Sequence, residues 1–159
     1  MPLAVLGIGA NLGDRENNIA AALDALEQSP GISLQRLSCL YETAPVEVQS
    51  EQPPYVNACL LLETSLSPEE LLTRCLEIEK QLGRRRTEYH GARTMDLDLL
   101  LYQGCQCADP HLILPHPRLL HRGFVLIPLA DLFPEHQALG LDFSRALEQV
   151  DVSEVKRYL

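Results

Sequence analysis

The sequence contains no tryptophan, and its other large rings are five tyrosines and three phenylalanines. A core with so few aromatics has to be assembled from aliphatic side chains. Long apolar runs are also missing. Leu60-Leu61-Leu62 and Leu99-Leu100-Leu101 fall far short of the roughly 20 residues that span a bilayer, so no membrane role is expected. No basic stretch followed by an apolar one opens the chain, so no secretory signal is expected. Basic residues are scarce, 13 Lys and Arg against 22 Asp and Glu, for a net charge of −9. That balance argues against a nucleic-acid-coating protein, which carries a broad basic face. The five cysteines are odd in number, and Cys105-x-Cys107 lacks zinc spacing and a second ligand pair. All five read as reduced thiols of a cytoplasmic protein. What is present is ordinary for one globular domain over residues 1–159: 46% hydrophobic, 22% charged, with no repeat.

The chain is organised around Gly91-Ala92-Arg93-Thr94-Met95-Asp96-Leu97-Asp98-Leu99-Leu100-Leu101-Tyr102. From Met95 it alternates with the period of a β-strand, Met95, Leu97, Leu99 and Leu101 facing one way and Asp96, Asp98, Leu100 and Tyr102 the other. Asp96 and Asp98 thus share a face, their Cα atoms roughly 6.5–7 Å apart. Two such carboxylates repel each other and are costly to desolvate, and a hard divalent cation relieves both problems. Mg²⁺ fits, because it takes one or two carboxylates and completes its shell with water and substrate phosphates. Arg84, Arg85, Arg86 and Arg93 lie just upstream, a local anion site in an acidic chain. A lone Asp-x-Asp is as easily a charged strand end; the four arginines tip the reading to phosphate plus metal.

Elsewhere the spacing predicts a first strand over Leu3–Gly9, a turn through Asn11 and Gly13, and a helix capped by Asp14 with Ile19, Ala22, Leu23 and Leu26 as its stripe. Gly7-x-Gly9 lacks the third glycine of a dinucleotide fingerprint and reads as a tight strand-to-helix turn with backbone packed close by. A strand is predicted over Ile32–Glu42, then a polar surface loop over 46–54, then a strand over Tyr55–Thr64. In that strand Asn57 lies among apolar neighbours and needs partners for its amide, from backbone or from a planar heterocycle. Ser67-Pro68-Glu69-Glu70 opens a helix with a capping box, and Gly83 stops it. Leu112–Leu114 reads as a short edge strand, and His116 and Arg122 belong to a basic cluster. The segment after Phe124 reads as amphipathic and broken by Pro128, with short helices near Ser144–Val150 and Ser153–Tyr158. The order β-α-β-β-α-β predicts an α+β fold with a ferredoxin-like core, a mostly antiparallel sheet carrying helices, and a C-terminal extension.

With those residues in hand, the chain resembles the 6-hydroxymethyl-7,8-dihydropterin pyrophosphokinase family. The resemblance runs from Gly7-x-Gly9-Ala10-Asn11-Leu12-Gly13 through Tyr41-Glu42-Thr43-Ala44-Pro45 and Tyr55-Val56-Asn57-Ala58. It is strongest at Gly91–Asp98, at Leu114-Pro115-His116-Pro117 and at Arg122-Gly123-Phe124. It implies Mg²⁺-dependent transfer of diphosphate from ATP to the pterin's hydroxymethyl group, with release of AMP, in folate biosynthesis. Asp96 and Asp98 would hold two Mg²⁺ ions. Arg84 and Arg93 would neutralise the transferred group; Arg86, Arg122, His116 and Glu79 would hold the nucleotide. The pterin would lie between Tyr55 and Phe124, read by Asn57 and by Thr43, Ala44, Pro45 and Val46. The partners implied are these two small molecules, and a monomer is expected. The chain departs from the family's usual pattern at Ala44-Pro45, at Pro117 and at Tyr89-His90, where a tryptophan is common. The residues alone also admit a nucleotidyltransferase attacking the α-phosphorus, or a ligand sensor without turnover.

Overall fold

A computed structural model of the chain describes residues 1–10, 15–43, 55–82, 95–151 and 155–158. In chain order its elements begin with β1 (Leu3–Ala10), α1 (Arg15–Glu27), β2 (Ile32–Leu37), β3 (Tyr41–Thr43), β4 (Tyr55–Thr64), α2 (Pro68–Leu82) and β5 (Met95–Tyr102). A hairpin of β6 (Cys107–Asp109) and β7 (Leu112–Leu114) follows, then a 3-10 turn and α3 (Gly123–Leu132). The chain ends with β8 (Gln137–Ala138), β9 (Leu141–Asp142), α4 (Ser144–Gln149) and β10 (Val155–Arg157). The main sheet runs β10-β3-β4-β1-β5, with β2 also on β4, and every pairing is antiparallel. This is the expected α+β, ferredoxin-like order.

Period-two patterning divides the core between the sheet's two faces. Ala4, Leu6 and Ile8 of β1 pack with Val56, Leu60 and Leu62 of β4 against Ile19, Ala22 and Leu26 of α1 and Leu71, Cys75 and Ile78 of α2. Val5, Cys59 and Leu61 face the other way, under Leu126 and Leu129 of α3. Each fully buried Leu or Ile stabilises the fold by about 1.5–3 kcal/mol, so aliphatic layers suffice without tryptophan. The α2 start forms as its sequence requires: the Glu70 N–H donates to Ser67 Oγ at 3.1 Å, and the Ser67 N–H to a Glu70 oxygen at 2.9 Å. Asp14 and Gly83, read as helix ends, lie outside the described residues.

Four local expectations are corrected. The strand read over Ile32–Glu42 is two strands, both on β4, interrupted where Ser38 Oγ accepts the Cys59 N–H at 2.9 Å. In β5 the alternation breaks at a bulge opposite Val5 and Leu6, so Leu101 joins Leu100 under α3 and Tyr102 packs with the α1–α2 cluster, its hydroxyl donating to the Leu66 carbonyl. Pro128 lies inside α3 rather than breaking it. The helix expected near Ser153–Tyr158 is instead β10, whose Val155, Lys156 and Arg157 pair with Thr43, Glu42 and Tyr41.

Candidate active site

The site grows from the register of three strands. Asp96 of β5 pairs with Gly9 of β1, which pairs with Asn57 of β4; one step along, Asp98 pairs with Gly7, which pairs with Cys59. Paired residues share a face, so both aspartates and Asn57 rise from the same side of the sheet with glycine between them. The glycines leave the room this face needs. A Cβ at Gly9 would lie 2.7 Å from Asn57 Oδ1, and one at Gly7 3.3 Å from the Leu100 side chain. Gly7-x-Gly9 is therefore a floor inside a strand rather than the tight turn expected, because both glycines are paired to β4 and β5; only the close packing matches the expectation.

Over this floor lies a cavity of about 910 Å³. Its lining includes Asp96, Asp98, Thr43, Tyr55, Asn57 and Phe124, all singled out from the sequence, and Arg122, whose guanidinium lies 5.4 Å from the centre of the Phe124 ring. Thr43 Oγ1 and Asn57 Nδ2 are buried without a hydrogen-bond partner among the described residues. Buried polar atoms are rarely left so in folded proteins, and each costs about 1–3 kcal/mol. Both atoms belong to residues lining the cavity, so a planar ligand with donors and acceptors at its edge would satisfy them.

A second cavity of about 280 Å³ is lined by Glu79, His116, Ile113 and again Asp98. Asp98 thus borders both spaces. Glu79 is buried at 3% exposure on α2, where a surface residue would be expected. Its carboxylate accepts the Leu97 N–H of β5 at 2.7 Å, on the side of that strand away from β1. His116 has its pKa lowered by burial; Asp98 pulls it up, while Arg122 and Arg118 reinforce the fall. Its Nδ1 accepts the Arg118 N–H at 3.2 Å, so a neutral ring keeps Nε2 as its donor.

The structure thus separates the expected nucleotide residues: Glu79 and His116 line the smaller space, Arg122 the larger. Arg84, Arg86, Arg93, Ala44, Pro45 and Val46 lie outside the described residues. Sequence reading did not single out Arg118, Asp151 or Val155, which also line the larger cavity. Strand alternation of glycine at 7 and 9 was a usable signal for the floor; no motif marked the other three.

The two aspartates suit Mg²⁺ as a donor set. They are hard oxygen ligands on one strand face, in a wide space with room for water and phosphate oxygens. Among the described residues no cluster of three or more His, Cys, Asp or Glu forms a closed metal cage.

A family model described as 7,8-dihydro-6-hydroxymethylpterin-pyrophosphokinase (HPPK) matches residues 5–134. The chain is 39% identical over 157 residues to the 2-amino-4-hydroxy-6-hydroxymethyldihydropteridine pyrophosphokinase of Methylorubrum extorquens, covering 99% of each. It is 40% identical over 130 residues to the protein of the same name from Bacillus subtilis, covering 82% of this chain and 77% of that one. Its fold resembles that of the Plasmodium falciparum HPPK-DHPS wild type with SDX-DHP, at a TM-score of 0.69 and 15% identity; the match covers 99% of this chain but only 47% of that longer one. That last likeness bears on the fold alone, whereas the family match covers most of the chain and the two bacterial relatives 99% and 82% of it. The chain belongs to the 7,8-dihydro-6-hydroxymethylpterin-pyrophosphokinase family, and it is an enzyme, a transferase.

Proposed function

We propose that the chain, as one domain over residues 1–159, transfers diphosphate from ATP to the hydroxymethyl group of 6-hydroxymethyl-7,8-dihydropterin in folate biosynthesis. The single observation that carries this reading is the shared wall: Asp98 borders both the cavity holding the orphaned Thr43 and Asn57 atoms and the cavity holding Glu79 and His116. A heterocycle in the larger space and a nucleotide in the smaller one would meet at the aspartates.

Asn57 and Thr43 would read the polar edge of the pterin, with Tyr55 and Phe124 against its ring. The hydroxymethyl oxygen then bonds to the β-phosphorus of ATP, the bond from that phosphorus to the bridging oxygen of AMP breaks, and the hydroxyl proton is lost. His116 and Glu79 would position the nucleotide, and Arg122 would contribute positive charge. Arg84, Arg86 and Arg93 would add more. Asp96 and Asp98 would hold Mg²⁺, two ions by analogy with the family, which supplies neutralisation and orientation of the phosphates. Transfer of this kind depends on positioning and charge rather than covalent catalysis, and no nucleophilic side chain is required. Five free cysteines support a cytoplasmic setting, and a monomer suffices for the reaction.

Incubation with ATP, Mg²⁺ and the reduced hydroxymethylpterin, followed by separation of adenine nucleotides, tests this. Pterin-dependent AMP without free pyrophosphate is expected. ADP would indicate monophosphate transfer, and free pyrophosphate attack at the α-phosphorus; either refutes the proposal.

A further inference from the structure

The family match ends at residue 134, yet the larger cavity is walled in part by residues well beyond it, Val150, Asp151 and Val155. Val155 opens β10, the outermost strand, and its register makes one row: Val155 pairs with Thr43, and Thr43 with Tyr55. The first is an added wall, and the other two are the residues at the ring and polar edge of the pterin reading. β3 is only three residues long and is held by β4 on one side and β10 on the other. A short strand of this kind keeps its place through its neighbours, so β10 shares with β4 in setting where the orphaned Thr43 hydroxyl sits.

The tail is itself fastened. The Tyr158 N–H donates to the Leu40 carbonyl at 2.7 Å, just before β3. The Arg15 guanidinium lies 5.2 Å from the centre of the Tyr158 ring while pairing with Glu42 of β3 at 3.0 Å. One arginine at the start of α1 thus ties the C-terminal segment to the strand that presents Thr43. None of Val150, Asp151 and Val155 borders the smaller cavity among the described residues.

We propose that this C-terminal wall is a specificity element for the heterocycle: Val150 and Val155 close the pterin's side of the cavity, and β10 positions Thr43. The inference rests on the pyrophosphokinase reading and deepens it, adding positioning residues outside the matched family segment. A merely structural edge strand would disturb both substrates together; a positioning wall disturbs one.

The test compares wild type with Val155→Phe, which fills the wall, and Tyr158→Ala, which keeps the backbone bond to Leu40 but removes the ring that Arg15 holds. Dissociation constants for reduced hydroxymethylpterin and for ATP are measured separately by titration, alongside KM, kcat and the melting temperature. Val155→Phe is expected to weaken pterin binding about tenfold or more while ATP binding stays within about twofold. Tyr158→Ala should shift the same constant in the same direction, with less effect. Unchanged pterin binding in both folded variants overturns the inference. So does equal weakening of both ligands with a lowered melting temperature, the mark of a structural edge only. Wild-type protein that neither binds nor turns over the pterin would instead refute the pyrophosphokinase reading, and this inference with it.

Discussion

A methyl group at position 9 would sit 2.7 Å from Asn57 Oδ1, closer than real Cβ contacts come. Gly9→Ala must therefore push the Asn57 side chain off its position, and pterin KM should rise about tenfold or more while ATP KM is little altered. Thr43 makes the complementary case. Its hydroxyl is buried and without a partner among the described residues, a cost of about 1–3 kcal/mol. Thr43→Val keeps the shape and removes that cost, so the ligand-free protein should be as stable as wild type or more so in urea denaturation, yet bind the pterin less well. Loss of stability would show that the hydroxyl already has a partner. Part of this was legible beforehand: Asn57 among apolar neighbours announced an amide in need of partners, from backbone or from a heterocycle, and the Asp pair pointed to phosphate plus metal only together with the arginines upstream. Gly7 and Gly9 were legible as close packing but misread as a turn, because the register that puts them between Asn57 and the aspartates is a property of three strands together.

Elements were legible where one period ran unbroken. The alternation of β4 and the capping box of α2 came out as their residues dictated. Where a single residue interrupts the period, local pattern could not show it. Ser38 replaces a backbone partner for the Cys59 N–H and so divides β2 from β3. Ser38→Ala should leave that buried donor unpaired and destabilise the protein by about 1–3 kcal/mol, read as a lower urea midpoint at unchanged slope. The bulge in β5 and the conversion of the last segment from expected helix to β10 have the same origin. Both are decided by what the neighbouring strand offers, since propensity is a weak prior where an open sheet edge is available.

At the scale of the molecule, the two faces of the sheet divide labour. One is closed by α1 and α2 over an aliphatic core; the other is covered by α3 at one end and left open as the larger cavity at the other. Cys75 lies in the closed core, where burial, with Glu79 and Asp98 adding to it, pushes its thiol from the ordinary 9.0 to about 12. A raised pKa of this kind favours the folded state while the thiol stays neutral. Its contribution is complete below about pH 9 and is lost as pH rises toward 12. Denaturant midpoints measured from pH 8 upward should fall through that window, and less steeply in Cys75→Ala. A flat profile would place the thiol in a more solvated setting than α2 provides.

On the proposed reading Asp98, at the wall between the two cavities, serves the transfer itself rather than the fold or either binding site alone. Asp98→Ala measures this most directly, with pterin affinity, melting temperature and Mg²⁺-dependent turnover determined on the same sample. Pterin affinity is expected to be unaltered and the melting temperature close to wild type, with turnover lower by about a thousandfold or more, equivalent to some 4 kcal/mol of barrier. Turnover near that of wild type in a folded Asp98→Ala protein would contradict that reading.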